Sequence, residues 1–132
     1  MKLVTRDTDY AIRALCYIAG EKEGIVAVSG LVKKLKIPRS FLRKILQILN
    51  RKRLLKSYKG KGGGFVLSVP PQRISLAQLI EIFQGRLRLN ECFFKKSICP
   101  NRKTCRLKKK IDRIERYVIK ELKDISIASL LK

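Results

Sequence analysis

The stretch CFFKKSICPNRKTC, residues 92–105, carries three of the chain's four cysteines: Cys92, Cys99 and Cys105. Thiolates gathered this way can hold an iron–sulfur cluster or zinc, or act as redox switches. Lys95, Lys96, Arg102, Lys103 and Arg106 lie among or beside them. Positive charge there lowers thiol pKa and offsets the negative charge of an anionic cluster. The gaps hold six and five residues, which lets a loop wrap a bulky cluster. Structural zinc more often uses two-residue gaps and a fourth Cys or His, and neither is near this loop. A disulfide would leave one thiol over and suits a secreted chain better. The residues alone leave cluster, zinc and thiol switch open, in that order. Cys16, in ALCYIA, is set apart as a small core residue.

The charge of the chain says what such a loop would serve. Lys and Arg number 32 against 10 Asp and Glu, a formal charge of +22 on 132 residues. A surface of this kind repels itself unless it meets a polyanion. Nucleic acid is the expected partner, because counterion release supplies much of the binding free energy. A thermophile's lysine-rich surface usually comes with matching glutamate, whereas here Asp and Glu together number only 10 against 32 Lys and Arg. The chain has no histidine, so no Ser-His or Cys-His pair can form, and no carboxylate cluster suggests a two-metal or glycosidase site. Neither an enzyme nor a small-molecule substrate is expected. No apolar run approaches the roughly 20 residues of a membrane span. Met1-Lys2-Leu3-Val4-Thr5-Arg6 does not open a signal peptide, so the expected location is the cytoplasm.

The elements that position these groups follow from periodicity. Hydrophobic residues make up 45% of the chain, enough for a core. TDYAIRALCYIA, residues 8–19, puts Ala11, Leu15 and Ile18 at helical spacing. Ser29 is a candidate N-cap for a short helix over 30–36, with Leu31, Val32 and Leu35 on its apolar face. Ile37-Pro38 turns into a second helix, to Arg51, that should bury Phe41, Leu42, Ile45, Leu46 and Leu49. Its other face carries Arg39, Ser40, Arg43, Lys44 and Gln47. Two short helices about a tight turn, the second basic outside, form the helix-turn-helix pattern. LLKSYKGKGGGFVLSV, residues 54–69, reads as two strands about a glycine-rich turn. A basic hairpin in that place is a wing, with Lys59, Lys61, Gly62 and Gly63 set to meet phosphates or a minor groove. The glycines lack the order of a nucleotide-binding P-loop. Ser75-Leu76-Ala77-Gln78 opens a further helix as a capping box, and Gly85 stops it. From Arg106, the series Leu107, Ile111, Ile114, Val118, Leu122, Ile125 marks a helix of roughly 27 Å. One apolar seam on so long a helix is expected to pack on a second copy. The expected fold is mainly α with a small β-hairpin wing. A winged helix-turn-helix domain over 1–85 would be followed by the cysteine loop over 86–105 and a dimerisation helix and tail over 106–132.

The order DYAIRAL, KLKIPRSFLRKILQIL, GKGGGFVLSVPPQRISLAQLIEIFQG, three spaced cysteines and a long helix closely resembles the bacterial iron–sulfur regulators of the IscR and NsrR type. The likeness covers nearly the whole chain. It implies a winged helix-turn-helix homodimer that binds palindromic double-stranded operator DNA. A 2Fe–2S or 4Fe–4S cluster, sensing redox state, nitric oxide or iron–sulfur status, would control the affinity. Cys92, Cys99 and Cys105 fall on the family's cysteine positions, and Asp9 on that of an acidic ligand from the other subunit, with Asp7 nearby. The chain departs from the family in three places. The first cysteine gap is six residues rather than five. Lys108 stands where the IscR branch has a histidine ligand, which excludes that ligand set. The wing reads KGKGGG rather than RGPGGG. Relatives that bind no cluster exist, so a cluster-free or zinc-bound basic nucleic-acid-binding protein is the alternative reading.

Overall fold

A computed structural model describes residues 2–21, 24–89 and 105–131. Helix α1, Arg6–Gly20, buries Thr8, Ala11, Ala14, Leu15 and Ile18, the stripe that its periodicity predicts. Helix α2, Val28–Leu35, begins two residues earlier than expected, and its N-cap is Ala27 rather than Ser29. The cause is remote in sequence. Val26 and Phe65 exchange two backbone hydrogen bonds of 2.9 Å each, which hold the chain extended up to Ala27, and the helix starts at once. Lys36 ends α2 in the left-handed conformation, with φ 56°. Ile37 is buried and Pro38 caps the next helix.

Helix α3, Arg39–Arg51, buries Leu42, Ile45, Leu46 and Leu49. Phe41 departs from expectation: it is 38% exposed, because it sits on the rim of the apolar stripe. The Arg6 guanidinium covers its ring, 4.5 Å from the centroid. Strands β1, Leu55–Tyr58, and β2, Gly64–Leu67, pair antiparallel in the register Leu55–Leu67 to Tyr58–Gly64. Buried Leu54 and Leu55 root the hairpin in the core. Because Val26 pairs with Phe65, the free edge of β2 is partly covered. A Cβ on Gly64 would lie 2.2 Å from the Val26 carbonyl oxygen, so no side chain fits there.

Helix α4, Leu76–Gln84, has the cap its sequence predicts. The Ser75 hydroxyl accepts from Gln78 N–H at 3.1 Å, and Gly85 closes the C-terminus with φ 79°. Helix α5, Arg106–Lys123, shows an uneven seam. Leu107 and Ile114 are 65% and 51% exposed, whereas Leu122 is buried. Beyond it the tail returns to the domain. Leu76 N–H donates to Ile125 O and Ile127 N–H to Ile74 O, both at 2.9 Å, and Ile127 is wholly buried.

One polar cluster joins the start of the chain to the end of α4. The Gln84 Oε1 accepts from Thr5 N–H at 2.9 Å and from the wholly buried Thr8 hydroxyl at 2.6 Å. Its Nε2 donates to Leu3 O at 3.1 Å. A buried hydroxyl deprived of its acceptor is costly. Gln84→Ala should therefore lower unfolding free energy by about 1–3 kcal/mol in urea titration, and adding Thr8→Val should restore part of that loss. Gly64→Ala, which forces β2 away from Val26, should cost about 1–3 kcal/mol by the same measurement.

Candidate nucleic-acid interface

With its apolar stripe buried, α3 has one rotation available, and that rotation turns Arg39, Ser40, Arg43, Lys44 and Gln47 to solvent; all five are exposed. No carboxylate sits on the first turn of α3, and no side chain caps it. Its free backbone N–H groups and the positive end of its dipole add to the charge of Arg39. Lys59, Lys61 and Gly62 are exposed at the wing tip. Gly63 has a different part in the wing. It is half-buried, and its N–H donates to Gly60 O at 3.0 Å inside the turn. A Cβ there would lie 2.2 Å from the Tyr58 carbonyl oxygen, so Gly63 shapes the tip rather than offering a free donor.

Helix and wing meet across an open cleft of ≈ 490 Å³. Arg39, Gln47 and Asn50 line it from α3, Ser29 from α2, and Ser57, Tyr58 and Lys59 from the wing. The structure thus brings Arg39 and Lys59 to one cleft, while Arg43 and Lys44 lie one turn along the same helix. Asn50, Ser29, Ser57 and Tyr58 were not singled out from the sequence for this surface. Lys56 lies over the Tyr58 ring, 5.4 Å from its centroid. A plain signal was available: between Glu23 and Glu81 the sequence has no Asp or Glu, so every charge on both helices and the wing is positive.

Cys92 and Cys99 lie outside the described residues. Cys105 is the N-cap of α5, half-buried, and its Sγ accepts from Lys108 N–H at 3.4 Å. The sulfur thus stands at the N-terminal end of α5, beside Arg106 and Lys108. Lys108 itself pairs with Asp112 at 2.7 Å. Asp9, on α1, pairs with Arg13 at 2.9 Å, and both side chains are well exposed. Among the described residues no three His, Cys, Asp or Glu come together. Cys16 is half-buried against the core, and that burial pushes its thiol pKa up; a protonated thiol of this kind suits packing. Among the described residues no helix is long and apolar enough to cross a membrane.

The arrangement has known counterparts. The family profile Rrf2, described as an iron-dependent transcriptional regulator, matches residues 4–132. A chain of Aquifex aeolicus named for an HTH-type transcriptional regulator is 34% identical over 90 residues, 68% of this chain; the match spans 62% of that relative's length. The HTH-type transcriptional regulator NsrR of Shouchella clausii is 28% identical over 129 residues, covering 90% of this chain and 87% of its own. In fold, the global cysteine regulator CymR of B. subtilis superposes with a TM-score of 0.82 at 20% identity, covering 99% of this chain and 97% of that one. T. potens IscR gives 0.75 at 20% identity, covering 99% and 86%. A family profile that runs from the start of α1 through the long helix, on a fold with this helix pair and wing, settles the membership: the chain belongs to the Rrf2 family of transcriptional regulators.

Proposed function

We propose that this chain works as a homodimer on a palindromic double-stranded DNA operator, in the cytoplasm, and that an iron–sulfur cluster controls its affinity. The observation that carries the DNA reading is the acid-free surface shared by α2, α3 and the wing, with the cleft that joins Arg39 to Lys59. In this reading α3 enters the major groove, and Arg39, Ser40, Arg43 and Lys44 meet base edges or nearby phosphates. Lys59, Lys61 and Gly62 lie along the flanking backbone, while Gly63 keeps the tip in shape. The two recognition helices of a dimer would stand about 34 Å apart, one turn of the duplex. The open seam of α5, with Leu107, Ile114 and Tyr117 exposed, supports pairing with a second copy.

The cluster reading is supported by the iron-dependent description of the family, by the NsrR relative, and by three cysteines in a basic stretch. Cys92, Cys99 and Cys105 would hold the cluster, with Asp9 of the second subunit as the oxygen donor. Such a group supplies a centre that reacts with oxidants and nitric oxide. The chain's own part is to fasten the segment it sits in. Gln84 ties the approach to that segment to Thr5 and Thr8, and Glu115 on α5 accepts from Leu89 N–H at 3.0 Å. A rearrangement between these points would shift α5 against the reading domain. A hundredfold change in affinity needs only about 2.7 kcal/mol.

Protein purified without air should be coloured and contain iron and sulfide, and Cys105→Ala should lose both. Colourless protein containing zinc or no metal, with operator binding indifferent to iron, would leave the cluster-free regulator as the reading. Asp9→Ala should change the visible spectrum and shorten the lifetime of the reconstituted cluster; identical spectra and lifetimes would remove Asp9 from the ligand set. On DNA, Arg43→Ala should cost about 1–3 kcal/mol on the operator and relax its specificity. Lys61→Ala should weaken binding to operator and random duplex alike and lower the salt slope by about 1. Equal effects of the two substitutions on specific and random DNA would refute the role given to Arg43.

A further inference from the structure

Arg6 is the first residue of α1, outside the helix pair and the wing. Its placement opposes helix electrostatics, because a cation on the first turn faces the positive end of the dipole. Its contact with Asp7, at 3.6 Å between neighbouring residues, has side chains 60% and 42% exposed, and exposed pairs of this kind contribute little. The structure gives the side chain a different seat. Its guanidinium carbon lies 4.5 Å from the centroid of the Phe41 ring. Phe41 is on the first turn of α3, next to Ser40 and one helical step pair from Arg43. It is an exposed aromatic on the rim of the reading helix rather than on the face that carries Arg39 and Arg43.

We propose that Arg6 is a phosphate-contacting residue, held beside the recognition helix by the ring of Phe41. This rests on the DNA reading given above. A guanidinium over an aromatic face gains cation–π attraction and loses rotamer freedom, while its N–H fork remains at the solvent edge. That fork matches two oxygens of a phosphate. The flank of a helix lying in the major groove faces the sugar–phosphate strand, not base edges, so the contact adds affinity without reading sequence. It also accounts for a large, partly exposed aromatic at position 41: the ring orients the cation. Phe41 is thus a positioning residue, and Arg6 the group that touches DNA.

The test is a salt titration of duplex binding with the full-length chain. Wild type, Arg6→Ala, Arg6→Lys and Phe41→Leu are each measured on the operator and on a random duplex. Arg6→Ala should weaken both by a similar factor, about five- to tenfold near 0.1 M salt, and reduce the slope of log K against log salt by about 0.9. Arg6→Lys should keep the slope and recover part of the affinity, which a purely structural role for the side chain would not produce. Phe41→Leu should fall between wild type and Arg6→Ala on both duplexes, with its fold checked by thermal unfolding. An unchanged affinity and slope in Arg6→Ala, with wild type binding normally, overturns the proposal and leaves the DNA reading intact. A loss confined to the operator overturns the backbone assignment. Wild type that binds neither duplex overturns both readings together.

Discussion

Burial of four side chains on α3 fixes the orientation on which the rest of the surface depends. Leu42, Ile45, Leu46 and Leu49 are each at most 2% exposed. Rotating the helix by even a quarter turn would bring some of them into water, at about 1.5–3 kcal/mol for each side chain fully exposed. The opposite face is therefore set without any specific contact of its own. Arg39, Arg43 and Lys44 need not be held by partners, because the core already aims them. The wing is aimed in the same manner, through Leu54 and Leu55 at its root and through the Val26–Phe65 pair along its edge.

Mutual repulsion among the cations on this surface is the counterpart of that arrangement. The carboxylates of the described residues lie on α1, α4, α5 and the residues that follow them, where several form pairs within one helix, such as Asp9 with Arg13 and Asp112 with Lys108. From α2 to the wing none is available to neutralise charge. The domain tolerates this because water and salt screen exposed charges over roughly 10 Å. The same repulsion is relieved when a polyanion replaces the diffuse counterions.

Local chemistry made much of the fold legible. The Ser75 cap, the Gly85 stop, the hairpin and the extent of α5 all depend on residues within a few positions of each other, and each was readable from the sequence. What escaped was decided by distant partners. Ser29 reads as a cap until Val26 is tied to Phe65, nearly forty residues on. Phe41 fits the apolar period of α3, but periodicity does not tell the rim of a stripe from its centre. The role of Gln84 depends on Thr5 and Thr8, 79 and 76 positions earlier in the chain. Ile127 belongs to the core although it follows a helix whose opening turns are exposed. At the candidate site, residue types and spacing named the basic face and the thiols, whereas the cleft between helix and wing arises only from tertiary packing.

The hydrogen bond from Leu89 N–H to Glu115 joins the chain that leaves α4 to the middle of α5. Leu122, near the far end of that helix, is buried as well. The long helix is thus fastened to the rest of the fold at two separate points along its length. Fastening at two points restricts its swing relative to α3 and the wing more than either one would.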